Sequence, residues 1–111
     1  MTAVVLKLNT ANTTNLTKIK GGPGVLKGYA LYNTSGASIF VKFYWSNTEP
    51  VVGTTVPDIT VLVPTVGQAT EFFPGGITDT GEFYFAVTLL ATDADATAVA
   101  AGAGILSIFY E

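Results

Sequence analysis

The chain contains no cysteine, no histidine and no arginine. Without cysteine there is no disulfide, no thiol nucleophile and no thiolate metal site, and the redox compartment leaves no trace. Without histidine the chain lacks the side chain that most often serves as general base near neutral pH and as nitrogen ligand to transition metals. Without arginine it lacks the forked cation that clamps phosphates and carboxylates. Charge of either sign is scarce: 12% of the 111 residues are charged, against roughly 25% in an ordinary soluble domain. Long apolar runs are missing too. The weakly polar stretch 96–110 is interrupted by Gly102, Gly104 and Ser107 and falls short of the roughly 20 residues that a membrane helix needs. Met1 to Lys7 has neither the basic start nor the apolar stretch of a secretory signal. The expectation is a soluble protein made in the cytoplasm, with no membrane partner.

What charge there is lies sorted along the chain. The five lysines (Lys7, Lys18, Lys20, Lys27, Lys42) precede the eight acids (Glu49, Asp58, Glu71, Asp79, Glu82, Asp93, Asp95, Glu111). Such a dipolar sequence suits association with copies of itself or with a larger surface. The acidic balance, net −3, argues against nucleic acid, which calls for clustered Lys and Arg. A chain of 111 residues is one domain able to bury roughly 65% of its unfolded surface.

Period-2 alternation dominates. Ile39, Val41, Phe43 and Trp45 share one strand face, and Phe83, Phe85, Val87 and Leu89 share another. Eight strands are predicted, at 3–8, 14–20, 25–33, 38–46, 58–63, 69–73, 82–90 and 104–110. Turn chemistry separates them at Gly21-Gly22-Pro23-Gly24, Asn33-Thr34-Ser35-Gly36, the 47–57 loop and Pro74-Gly75-Gly76. Asp93 to Ala101 reads as a short capped helix or an irregular loop. The expected fold is all-β, a single-domain antiparallel sandwich, jelly-roll-like, with residues 1–20 as an N-terminal strand or arm and 21–111 as the body. Several strands are apolar on both faces. Either loops cover the second face, or it packs on another subunit through Phe40, Tyr44, Tyr84 and Phe109.

Constellations that carry chemistry are weak. Asp93-Ala94-Asp95 has calcium-loop spacing, but the residues after it supply no further oxygen ligands of the EF-hand pattern. A glycosidase pair needs two carboxyls flanking a cleft, and a domain this small has little room for one. No serine has a histidine to activate it or sits in a nucleophile elbow. The Gly21–Gly24 stretch lacks the G-K-[ST] ending of a phosphate loop. Asn-x-Ser/Thr acceptor patterns at Asn12, Asn15 and Asn33 are what a Thr- and Asn-rich chain shows by chance. Tyr29, Tyr32, Tyr44, Trp45 and Tyr84 offer a sugar-stacking platform, or simply fill strand positions where β-propensity favours aromatics. No catalytic residue, metal ligand or cofactor is assigned, and the expectation is a protein that is not an enzyme.

One set of motifs is more specific. It comprises Gly22-Pro23-Gly24-Val25-Leu26, Asn33-Thr34, Val52-Gly53-Thr54-Thr55-Val56-Pro57, Phe73-Pro74-Gly75-Gly76-Ile77, Asp95-Ala96-Thr97-Ala98-Val99-Ala100-Ala101-Gly102 and Tyr110-Glu111. Spread over roughly four fifths of the chain, this set resembles small virion proteins of tailed bacteriophages. The resemblance implies a capsid decoration (cement) protein, a jelly-roll-like sandwich clustered as a homotrimer on the outside of the virion, with the major capsid protein as partner. The first 20 residues match no motif of that group. From their position and charge, Lys7, Lys18 and Lys20 are expected to contact the shell, whose acidic surface would orient the protein on docking. The alternative is a head-fibre or receptor-binding knob that recognises host carbohydrate through Tyr44 and Trp45.

Overall fold

The computed structural model describes residues 3–111. Strands β1 (Val4–Asn9), β2 (Thr17–Asn33), β3 (Ile39–Ser46), β4 (Ile59–Val63), β5 (Gly67–Thr88) and β6 (Gly104–Tyr110) follow one another along the chain. They form one antiparallel sheet in the order β1-β6-β2-β5-β3-β4. No helix occurs among the described residues. The all-β expectation holds, with six strands in place of eight.

The difference lies at two of the expected breaks. The sequence reading separates 14–20 from 25–33 and 69–73 from 82–90; the structure joins each pair into one long strand, β2 and β5. Gly21 to Gly24 stay extended and the ladder absorbs them as register shifts between Lys20 and Pro23 and between Pro23 and Val25. Proline and glycine are tolerated inside a strand at such bulges, where a ladder hydrogen bond is already missing. On β5 the extra residues fall between Phe72 and Ile77 and between Thr78 and Glu82, again at register shifts. Gly81 closes the second of these with a φ of 105°, and a Cβ there would lie 2.8 Å from the Ser46 carbonyl carbon. Only glycine fits, and from Glu82 onward β5 gains β3 as a second neighbour.

These bends curl the sheet around a single main core. Tyr29 of β2 stacks on Phe43 of β3 with ring centroids 6.0 Å apart, although β5 lies between those strands in the sheet. Leu26, Leu31, Ile39, Val41, Phe43, Val63, Phe83, Phe85, Val87, Leu106 and Ile108 are all sealed from solvent. Each large side chain so buried contributes about 1.5–3 kcal/mol. The alternating positions that make this inner face are the ones period-2 spacing selects. Compactness follows: the radius of gyration is 12.8 Å, close to the roughly 13 Å of a well-packed domain of this size.

The 93–101 segment is a turn followed by irregular chain. Asp95 accepts from the Leu90 amide at 3.0 Å and from the Thr97 hydroxyl at 2.6 Å. Its carboxylate therefore closes a loop on itself and is not free to cap the first turn of a helix.

Candidate functional site

The curled sheet has two outer faces, and the chain treats them differently. The first is formed by β1, β6, the C-terminal part of β2 and the N-terminal part of β5. Cross-strand register aligns its outward residues in three rows: Val5-Phe109-Gly28-Phe72, Lys7-Ser107-Ala30-Thr70 and Asn9-Ile105-Tyr32-Gln68. Lys7 is the only charged residue in the three rows. Phe72 is 61% exposed, Val5 52%, Tyr32 45% and Ile105 38%. Gly28 sets the centre of the first row, since a Cβ there would come within 2.8 Å of the Phe72 ring. The Phe72 and Phe109 rings stack 5.6 Å apart across it. An apolar, nearly uncharged, solvent-facing plate of this kind favours burial against another surface.

The second outer face belongs to β3, β4, the C-terminal part of β5 and the N-terminal part of β2; the chain covers its centre itself and leaves Leu62 of β4 52% exposed at its edge. Tyr44, Tyr84 and Ala86 form a small buried cluster under Leu16 and Val52. The Tyr84 hydroxyl donates to Glu82 Oε1 at 2.8 Å, and Lys18 Nζ donates to Glu82 Oε2 at 2.9 Å. That pairing holds the Glu82 carboxyl below its ordinary range through the Lys18 and Tyr84 hydrogen bonds, and raises Lys18. Burial, followed by the hydrogen bond to Glu82, raises the Tyr84 phenol. Beside this cluster the Lys42 side chain is fully buried. Its ammonium donates to the Thr92 carbonyl at 2.7 Å and the Asp95 carbonyl at 3.3 Å. Burial lowers its pKa, with Asp95 and Asp93 pulling the other way.

The residues selected from the sequence are thereby distributed. Lys7 stands exposed on the open face, whereas Lys18 and Lys20 lie on β2 in the other half of the sheet. Residues 4–9 and 17–20 are strands of the sheet itself. Phe109 lies half-buried on the open face, and Phe40 half-buried on the covered one opposite Leu62 and Thr88. Tyr44 and Tyr84 are beneath the chain's own loops, so these two rings are covered within one chain, whereas Phe40 is covered only in part. Trp45 belongs to the core, where it stacks on Phe83 at 4.5 Å and donates from Nε1 to the Gly24 carbonyl at 2.8 Å. A carbohydrate platform on Tyr44 and Trp45 has no exposed ring to offer. Phe72 and Val5 were not singled out by sequence reasoning. The available signal was the Phe72-Phe73 doublet, since alternation must turn one of two adjacent rings outward.

Folding also interleaves the sequence's basic and acidic halves. Antiparallel pairing of β2 with β5 brings Lys18 to Glu82, and the chain after β5 brings Asp93 and Asp95 over Lys42. No group of three or more Asp and Glu side chains placed to hold a metal ion occurs among the described residues. Comparison with protein-family models, with curated proteins and with solved structures finds no match in any of the three.

Proposed function

We propose that this chain is a structural protein that attaches to a larger assembly through its open sheet face, in the role of the capsid decoration proteins its motifs resemble. The single observation carrying this reading is that face: three cross-strand rows, rich in exposed apolar side chains, with Lys7 as the only charge. Docking buries Phe72, Val5, Tyr32 and Ile105, while Lys7 meets an acid of the shell protein. Each copy's contact area is modest, so many copies on a repeating lattice, clustered as trimers, gain their hold from avidity. The same reading treats the curled sheet as a two-layered, jelly-roll-like sandwich. Support comes from the bends at 21–24 and 73–81, which divide β2 and β5 into the segments expected of an eight-stranded fold.

Co-sedimentation with empty, expanded capsids tests the proposal. The expected result is saturable binding at hundreds of copies per shell, weakened about tenfold or more by Phe72→Ser and again by Lys7→Glu. Lys18→Glu, on the other half of the sheet, leaves shell binding unchanged. Saturable binding to host glycans with no binding to shells would favour the receptor-knob reading, with Tyr32 and Phe72 as its exposed rings.

A further inference from the structure

The connection from β5 to β6 crosses the covered face, and its hold there is polar. Between Thr88 and Val99 only Asp95 is buried, and Leu90 lies mostly in solvent. Very little apolar surface therefore secures residues 89–98. The hydrogen bonds within the segment are local ones: Leu89 N–H to the Thr97 carbonyl, Leu90 N–H to Asp95 Oδ2, Asp95 N–H to the Thr92 carbonyl, and the Thr97 hydroxyl to Asp95 Oδ1. Two side chains tie this loop to the sheet: the Thr88 hydroxyl at the end of β5 donates to the Leu90 carbonyl at 2.8 Å, and Lys42 reaches up from β3 into the Thr92 and Asp95 carbonyls, farther along the segment.

A lysine on an outer face ordinarily extends its ammonium into water. This one is capped by the loop, and among the described residues no carboxylate forms an ion pair with it. A buried ammonium needs its hydrogen bonds, and the two carbonyls need their donor. Each side of the contact thus depends on the other. The loop also touches its neighbour: a Cβ on Gly53 would fall 3.1 Å from Ala96 Cβ and 3.2 Å from the Ala94 carbonyl oxygen. Gly53 is adjacent to Val52, which covers the Tyr44–Tyr84–Ala86 cluster.

We propose that residues 89–98 are a strap locked from beneath by Lys42, which opens as a local unit while the six-stranded sheet stays intact. Segments with few buried apolar contacts open below the global unfolding free energy, and this strap fits that description while β3 and β5 beneath it do not.

Hydrogen exchange on the whole chain tests this. In the wild type the Leu89, Leu90 and Asp95 amides should exchange faster than those at the centres of β3 and β5. Lys42→Met keeps the length of the side chain and removes the donor. It should speed exchange at the three strap amides by on the order of ten- to a hundredfold and leave the sheet amides as they were. Asp95→Ala cuts the strap's internal ties while leaving Lys42 in place. It should give the same regional pattern, and it decides the matter if Lys42→Met does not fold. Strap and sheet amides sharing one protection in the wild type would overturn the proposal. So would strap amides that keep their protection in both variants, or a loss spread evenly over strap and sheet.

Discussion

Tyr44 carries its hydroxyl into the covered cluster, where the Oη atom is buried without a hydrogen-bond partner among the described residues. Burial and the nearby Asp93 charge both push its phenol above the ordinary tyrosine value. A buried donor left unpaired costs about 1–3 kcal/mol, while the ring's packing is independent of it. Tyr44→Phe should therefore stabilise the protein by about 1 kcal/mol, read as a higher urea midpoint at unchanged slope. Tyr84, its neighbour in the cluster, shows the contrast: the same residue type one strand away has Glu82 as acceptor. Sequence alternation places both tyrosines on the outer face of their strands. It carries no information on which hydroxyl finds an acceptor, because Glu82 lies two residues along from Tyr84 and Lys18 arrives from 64 residues away. Lys42 is a similar case. Its position opposite Phe43 on the strand was legible, but its burial depends on a loop fifty residues downstream.

At the scale of elements, the inner faces of β3 and β5 are as alternation describes them, and all eight expected strand segments lie in or overlap strands. Glycine and proline were the misleading signals. Their φ freedom and missing N–H end a strand when the chain must reverse, yet serve equally well inside a bulge when the sheet must bend. The choice is made by the partner strand, which a local pattern does not contain. The β4–β5 turn shows the opposite situation, a residue that its conformation does not favour. Val66 has a φ of 44° and a side chain 68% exposed. A β-branched residue in the left-handed region is strained by about 1–2 kcal/mol, and nothing packs on the side chain to offset it. Val66→Asn should raise stability by about 1 kcal/mol with no change in the β4–β5 register, measured by thermal melting and by amide chemical shifts across the turn. Asn15 is the matching positive case. It adopts φ 55° naturally, with its side chain bonded to Ala11 and Thr13 backbone groups in the 10–16 connection.

For the whole molecule, acid is the condition that finds its polar ties. Lys18 and Tyr84 hydrogen bonds hold Glu82 below its ordinary value of 4.5. Burial would raise Asp95, but hydrogen bonds from Thr97 and Leu90, with the Lys42 charge, outweigh it and hold the carboxyl below 3.8. Both groups bind protons more weakly folded than unfolded. Their contribution is complete above the ordinary carboxylate range and fades as pH falls through the depressed values. Melting temperature should therefore hold steady from neutrality to about pH 5 and fall below about pH 4, and Glu82→Gln should flatten that fall. An unchanged acid limb in Glu82→Gln would remove the Lys18–Glu82 pair from the explanation. The pairing of β1 with β6 bears on time as well as on shape. Among the described residues β1 pairs with β6 alone, with Val4 opposite Tyr110. At a synthesis rate of roughly 5–20 residues per second, a growing chain holds β1 without a mate for roughly 5–20 s. β6 is also the strand that joins β1 to β2, so the sheet closes only once residues 104–110 have been made, and through that interval β1 presents an unpaired, largely apolar edge.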